Sequence, residues 1–587
     1  MKPVDYFENN EIVIKKKYDA LREYFYENRS AIDIAKKYSY TLFSFYSLIR
    51  DFKKFIELNP TEDYFFRNLQ PGRKPRNDAD SINELIINLR KKNYSTEDIM
   101  SFLHSKEHTI SYGYIYQLLH KEGFARLLRR SKNDKYNLTK PKIIAPIAEK
   151  IIIKNENYFT KTSGIFCFLP IIKKYNIDKA IYDSQYPSTK SISKISSILS
   201  FLELKISGIR RYSADDIWCM DRGSGLFAGL KALPKCAWYS SYSHRITRNM
   251  NLNFLKSLNK IWNDNKLLSD SRNIDFKTIP YWGNDEHLEN NWSGNKNKSL
   301  SSMLAVLSQD PDSGIIDYGD TNVMHKNESS VVLEYLDFYQ TTNTGIKDLK
   351  YLIFDSKFTN YENLAKLDSQ NIKFITIRRR GKNIINNIEK IMHSDWKTIR
   401  VESSGLKKRT LKVLDNEIIL KGFSNNTKEP NKKIRQIIIT GNGKIKPAII
   451  ITNEFDIDTE KIVRKYARRW LIEKEISEQI NFFHLNRVSS SMVIKVDFDL
   501  TMSVLAHNLY RLLGKSLDRY SHLSDQKLFE KFIDNAGNIK IEGNNIIVEL
   551  KKKRDLPQLL TMLDKFDNYK YDWLNNCSLS FIGASTS

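Results

Sequence analysis

The sequence predicts a multidomain α+β protein, with helical modules in its N-terminal part and a mixed α/β body after them. Three observations carry this. Apolar residues up to about position 270 recur mostly at helical spacing. From about 275 to 380, short β-type runs alternate with amphipathic helices. From 381 to 452 almost every apolar run is of strand type. At 587 residues the chain is long enough for about three to five domains. With 41% hydrophobic and 12% aromatic residues, a mainly disordered chain is excluded.

Residues 1–60 read as a first helix-turn-helix module. In AIDIAKKYSYTLFSFYSLIRDF, the positions Ile34, Tyr38, Tyr40, Phe45 and Leu48 form the apolar set, and small Ala35 sits where two helices approach. Ser39 stands where such a turn often has Gly, and a plain helical hairpin fits the same pattern. The linker 61–78 contains PGRKPR, where Arg73, Lys74 and Arg76 sit on a segment that Gly and Pro keep extended. Such an arm can follow a DNA minor groove or serve as a basic spacer. A second helix-turn-helix module is expected over 79–135, with caps at Ser95 and Ser111, Gly123 ending the second helix, and the basic run FARLLRRSK after it. Two modules with a basic arm between them suit bipartite reading of a long DNA site.

Residues 136–270 read as a mostly helical connecting region, with loops near Pro187 and Pro234. Over 271–380 the expected order is three strands, helix, strand, helix, strand. The first three form a meander turned at Asp310-Pro311-Asp312-Ser313-Gly314, and the later strands join through helical crossovers. Residues 381–452 then read as an inserted β-domain, and 453–515 as two long helices. The stretch 516–587 is left as a small C-terminal domain with a hairpin turned at Gly543-Asn544-Asn545.

The charge excludes an ordinary near-neutral enzyme as the default. Against 69 acidic residues stand 94 Lys and Arg, a net charge of +25. The excess is clustered. Residues 101–250 hold 25 basic and 11 acidic side chains, and residues 351–450 hold 21 and 9. Clustering of this kind points to two phosphate-contacting surfaces, while generic solubility would spread the surplus. Cys167, Cys219, Cys236 and Cys577 form no CxxC pair, so neither a disulfide framework nor a cysteine zinc site is expected. The N-terminus has no apolar signal core, and no run approaches the roughly 18 apolar residues of a membrane span. A soluble, intracellular protein without a membrane partner is the expectation.

Three carboxylates stand out. Asp285 follows the first strand of the body and Asp355 follows the buried run Tyr351-Leu352-Ile353-Phe354. If those strands are neighbours, both carboxylates reach one end of the sheet, and two such charges repel unless a cation lies between them. The third is Glu473, on the helix TEKIVRKYARRWLIEKEISEQINFFHL. At 100° per residue, Tyr466, Arg469, Glu473 and Ile480 fall within about 60° of one another. Taken alone, that stripe reads equally well as a solvated face with an Arg–Glu pair.

The order strand-Asp, strand-Asp, β insertion, helix-Glu resembles the DDE transposases, and YARRWLIEKEISEQI resembles the Tyr-x2-Arg-x3-Glu-x6-Lys signature of one bacterial insertion-sequence group. Tyr466, Arg469 and Glu473 match that signature at its spacing. The resemblance spans roughly 275–515, with carboxylate spacings of 70 and 118 residues. It departs from the signature at Ile480, where the group has Lys, and at Asp285-Glu286-His287, where relatives more often have a small hydroxyl residue two after the Asp. Asp310, Asp317 and Asp320 are the fallback carboxylates should the first strand lie elsewhere.

The resemblance implies a ribonuclease H-like catalytic domain with Asp285, Asp355 and Glu473 as catalytic metal ligands. Two Mg2+ or Mn2+ ions, about 3.5–4 Å apart, would be held there. It further implies phosphodiester hydrolysis at transposon ends followed by strand transfer, in cut-and-paste DNA transposition. Tyr466 and Arg469 would contact the DNA backbone, and Arg73, Lys74, Arg76, Arg378, Arg379 and Arg380 are the further basic contacts. Double-stranded DNA, a homodimer in the synaptic complex and a bacterial cytoplasmic, nucleoid-associated location follow from the same resemblance. A catalytically inactive DNA-binding derivative and an endonuclease without strand transfer are the alternatives.

Overall fold

The computed structural model describes residues 13–584 except 59–62, 66–78, 125–152, 209–220, 281–288, 294–297, 343–348, 403–407, 442–445, 486–492 and a few single or paired positions. The chain divides into two compact units, Met1–Asp80 and Ser81–Ser587.

The first unit holds three helices, α1 (Val13–Phe25), α2 (Ala31–Lys37) and α3 (Leu42–Leu58). Ser30 starts α2 by accepting a hydrogen bond from the Asp33 amide at 3.2 Å. The α2–α3 turn places Ser39 at φ +52°, the left-handed conformation for which Gly is commonly chosen. The core joins Leu21, Ile34, Ala35, Tyr38, Phe45 and Leu48, while Tyr40 packs half-buried at its edge. Glu23 is drawn into this core because Tyr38 Oη donates to its carboxylate at 2.8 Å and Lys37 lies beside it.

The second unit opens with α4 (Ala79–Lys91), α5 (Thr96–Ser105) and α6 (Tyr112–Lys121). Both expected caps are made. Ser95 and Asp98 form a reciprocal capping box, and Ser111 Oγ accepts from the Tyr114 amide at 3.3 Å. Helix α6 closes on Glu122, and Gly123 lies outside the described residues, as do Arg73, Lys74, Arg76 and the run 125–132.

A ten-stranded sheet forms the body. Strands β2 (Ser271–Pro280), β4 (Lys298–Gln309) and β5 (Ile316–Val323) pair antiparallel, with short β3 (Asn290–Ser293) also on β4. Strands β6 (Tyr351–Phe354) and β7 (Lys373–Ile377) add parallel to β2. Helix α9 (Val331–Thr342) precedes β6 and α10 (Tyr361–Ser369) precedes β7. The spatial order β5–β4–β2–β6–β7 is three antiparallel strands followed by two parallel ones, as a ribonuclease H-like core requires.

The β-rich stretch 381–452 corrects an expectation. Its strands β8 (Lys397–Glu402), β9 (Lys408–Ile419), β10 (Lys433–Thr440) and β11 (Ala448–Thr452) do not form a separate domain. Strand β11 pairs antiparallel with β7, matching Ile450 with Ile377, and the sheet runs on through β10 and β9 to β8. The physical reason is the open edge of β7, whose backbone groups need a partner. Strand β11, reading AIIIT and buried along four of its five positions, suits a place inside a sheet rather than at an edge.

The two faces of the sheet have different covers. Leu352, Phe354, Phe374 and Ile451 face the large core, shared with α7 (Lys194–Ile206), α8 (Arg248–Asp264) and α12 (Val493–Ser516). Ile353, Ile375, Ile437 and Ile450 face a second core, closed by Ile462, Val463 and Tyr466 of α11 (Thr459–Phe482). Helix α12 is pinned to β5 by a reciprocal amide pair. Asn508 accepts from the Ile316 amide at 2.9 Å and donates to the Ile316 carbonyl at 2.8 Å.

A smaller sheet holds the C-terminal hairpin β12 (Gly537–Glu542) and β13 (Asn545–Leu550), with β15 (Cys577–Gly583) parallel to β13 and β14 (Lys570–Tyr571) beyond it. Gly543 turns the hairpin at φ +56°, as the sequence predicts. Its remaining strand is β1 (Glu156–Thr160), which pairs antiparallel with β12. One strand of the stretch expected as a mostly helical connecting region thus joins the C-terminal sheet, and helices such as Lys194–Ile206 and Arg248–Asp264 follow it. Gly164 fixes the junction, since a Cβ there would stand 2.2 Å from the Ile533 carbonyl oxygen. Among the described residues, no helix is long and apolar enough to cross a membrane.

Candidate active site

The site is built from the middle of β2 and the end of the parallel strand β6. The β2–β6 ladder ends by matching Ile274 with Phe354, and Asp275 and Asp355 are the residues that follow this last pair. Ile274 and Phe354 both face the large core. Alternation then turns both aspartates to the other face, the one that α11 covers. A stacked ring pair, Phe276 on Phe358 with centroids 3.9 Å apart, ties the two segments together just beyond. The Asp355 carboxylate accepts from the Ser356 amide and so starts the turn Ser356–Phe358.

Helix α11 follows β2 in the same direction. Lys465 Nζ donates to Ser271 Oγ at 2.9 Å and lies 4.1 Å from the Tyr351 ring centre. Arg468 pairs with Asp312 at 2.7 Å. One turn further along α11, Arg469 Nη1 approaches Asp275 Oδ1 at 3.5 Å, with only 3% of the arginine side chain and 16% of the aspartate exposed. The turn after that carries Glu473. Its side chain, with all of 470–481, lies outside the described set.

The expected DNA contacts on this stripe are redirected. Tyr466 is 4% exposed and its ring belongs to the second core, while Arg469 turns to Asp275. Tyr466 is thus part of the apolar cover of the sheet, with Arg469 beside it. Of the triple arginine after β7, Arg378 donates to Gln436 at 2.7 Å and Arg380 to the Pro447 carbonyl at 2.7 Å. Only Arg379 reaches the carboxylate edge, donating to the Ser356 carbonyl at 3.4 Å from an exposed position.

Asp285, with His287, lies outside the described residues, five positions after β2 ends at Pro280. Sequence reasoning passed over Asp275. The available signal was an aspartate after Ile274, matching Asp355 after Phe354. The polar residues Arg272 and Asn273 hid it, because they made the strand's beginning look like loop.

The fallback carboxylates have structural partners. Arg272, fully buried, pairs with Asp317 at 2.8 Å and Asp310 at 3.1 Å. Burial pushes the Asp310 carboxyl up, but Arg272 and the Ser313 and Ser269 donors more than offset it and hold the group below its ordinary range. Asp320 is bound by Arg248 through both oxygens. These carboxylates are buried against arginines inside the fold.

Residues 270–509 match the family model described as the transposase DDE domain. The match runs from the start of β2 into α12 and includes the whole sheet extension β8–β11. Such domains generally use divalent metal ions. No curated protein matches the chain. Among solved structures it is similar to a piggyBac transposase in a synaptic complex with hairpin DNA, at 12% identity and a TM-score of 0.30, over 64% of this chain and 82% of that one.

Among the described residues no three His, Cys, Asp or Glu side chains converge as a metal site. Asp275 and Asp355 nevertheless fit one. They are hard oxygen donors on adjacent strands, and Arg469 already brings a cationic side chain to Asp275.

Proposed function

We propose that the chain is an active cut-and-paste transposase whose carboxylate set is Asp275, Asp355 and Glu473. The side-by-side placement of Asp275 and Asp355 on the face covered by α11 carries this reading. Asp285 remains the alternative for the first position. When bound, two Mg2+ or Mn2+ ions held by these carboxylates supply Lewis-acid stabilisation at the scissile phosphate. The chain's own groups do the positioning. Arg469 orients Asp275 and offsets its charge. Arg379, exposed beside Asp355, takes a non-bridging phosphate oxygen of the DNA. The basic strands β8 and β9 hold more of the duplex backbone, and the helical pairs α2–α3 and α5–α6 hold the transposon end. Hydrolytic nicking at the end and strand transfer into target DNA follow. Joining two ends calls for a homodimer, with 516–587 as the proposed subunit contact, and the protein works on the bacterial nucleoid.

The test is a cleavage and joining assay with the purified full chain, Mg2+ and DNA carrying the inverted repeats that flank the reading frame. Wild type is expected to nick and join. Loss of both steps in Asp275→Asn, Asp355→Asn and Glu473→Gln, with Asp285→Asn unaffected, supports this set. Loss in Asp285→Asn with Asp275→Asn active transfers the first role to Asp285. Binding without cleavage by wild type would identify a non-catalytic derivative, and cleavage without joining an endonuclease.

A further inference from the structure

We infer that both helical pairs read A·T-rich duplex by pressing aromatic side chains from the first turns of their second helices onto thymine methyl groups. The inference rests on the DNA-binding reading of those pairs and specifies what they recognise.

The observation is made twice, in separate units of the chain. In α3, Phe43 is 90% exposed and Tyr46 is 52% exposed, one turn apart. In α6, Tyr112 is 49% exposed and Tyr116 is 40% exposed, again one turn apart. Each helix is started by a hydroxyl cap. Thr41 Oγ1 accepts from the Ser44 amide at 3.2 Å, and Ser111 Oγ accepts from the Tyr114 amide at 3.3 Å. The other face of each helix is used in packing, through Phe45, Leu48 and Ile49 in α3 and through Ile115 and Leu119 in α6. The aromatics therefore stand outside both cores. Leaving a ring that size in water forgoes burial, which points to a partner.

The charge pattern decides what the partner is. At 100° per residue, Arg50 and Lys54 lie within about 20° of Phe43 on α3, and both are exposed. A stripe with rings at its N-terminal end and cations along its continuation is complementary to a duplex, with base edges deep in the groove and phosphates on its walls. A second protein copy would have to bury Lys54 and the exposed Arg50–Asp51 pair, a cost that phosphates do not impose. In the major groove only thymine offers an apolar group, its C5 methyl, and an exposed aromatic has no better contact there.

The test uses the full chain in fluorescence-anisotropy titrations. The probes are an alternating A·T duplex, the same duplex with deoxyuridine for thymidine, and a G·C duplex. Wild type is expected to bind the thymidine duplex at least about fourfold more tightly than the deoxyuridine one, the value of one buried methyl. In Phe43→Ala and Tyr112→Ala, both at exposed positions, that preference should shrink while binding to the G·C duplex stays unchanged. Equal binding of thymidine and deoxyuridine duplexes by wild type overturns the inference alone. So does a preference that survives both substitutions, or a loss of self-association without loss of preference. Failure to bind any duplex overturns it together with the reading beneath it.

Discussion

Two ends of one sheet treat aspartate in opposite ways. At the β4–β5 end, Asp310, Asp317 and Asp320 are buried to within 2% and held by Arg272 and Arg248. Midway along β2 and just after β6, Asp275 and Asp355 are half-buried, and Arg469 approaches Asp275 under α11. Residue type does not separate the two groups. Burial does. A carboxylate sealed in the fold against an arginine contributes to folding, and one left partly exposed stays accessible to a cation.

Breaking the strand-end group should leave the fold and remove the chemistry. Asp275→Asn is expected to lower nicking at least ~10³-fold, about 4 kcal/mol in barrier, with a urea midpoint close to wild type. A large shift of that midpoint would instead class Asp275 with the structural aspartates. The converse change is Arg272→Met, which strands Asp310 and Asp317 in the core. Equilibrium unfolding should then show a loss of about 3–5 kcal/mol.

Glu203 on α7 sharpens the contrast, because it is buried without a cation. Burial drives its carboxyl up to about 7, against the hydrogen bonds of Ser224 and Ser207, and Asp221 adds to the rise. The folded pKa lies above the model-peptide value of 4.5, so the proton is held more tightly in the folded state. Its stabilising contribution is complete below pH 4.5 and is lost as pH rises through about 7. Glu203→Gln should remove that slope and gain about 2–3 kcal/mol at pH 8 relative to wild type, read by denaturation across pH. Parallel pH profiles for the two proteins would refute the assignment. The smallest effect is expected at the capping box, where Ser95→Ala should cost about 1 kcal/mol in the same assay.

Much of this was legible in the sequence, and the misses have physical causes. Asp355 follows an unbroken apolar run, so its strand declares itself. Asp275 follows Ser271-Arg272-Asn273, polar residues that pattern reading assigns to loop although all three are buried. Arg272 can lie in a strand because Asp310 and Asp317 reach it from the following hairpin, a pairing that local sequence does not carry. The stripe of Tyr466 and Arg469 was legible as a stripe, while its direction depended on a sheet face assembled from distant segments. The same holds for 381–452. Its strands were evident, but whether they closed on themselves or continued the sheet depended on β7 meeting β11, more than 70 residues later in the chain.

That last pairing has a mechanical consequence. Because β7 and β11 share backbone hydrogen bonds, the segment 381–452 cannot swing on a hinge relative to the aspartates. Five inter-strand steps separate β6 from β8, about 24 Å at the usual strand spacing. Arg400 and Lys412, exposed on β8 and β9, are held at a set offset from Asp355, and the sheet works as a ruler. Its length corresponds to roughly seven base pairs of duplex at 3.4 Å each. Under the proposed function, the distance between the DNA-holding strands and the site of cleavage is set by the hydrogen-bond ladder, and changing it would require adding or removing a strand.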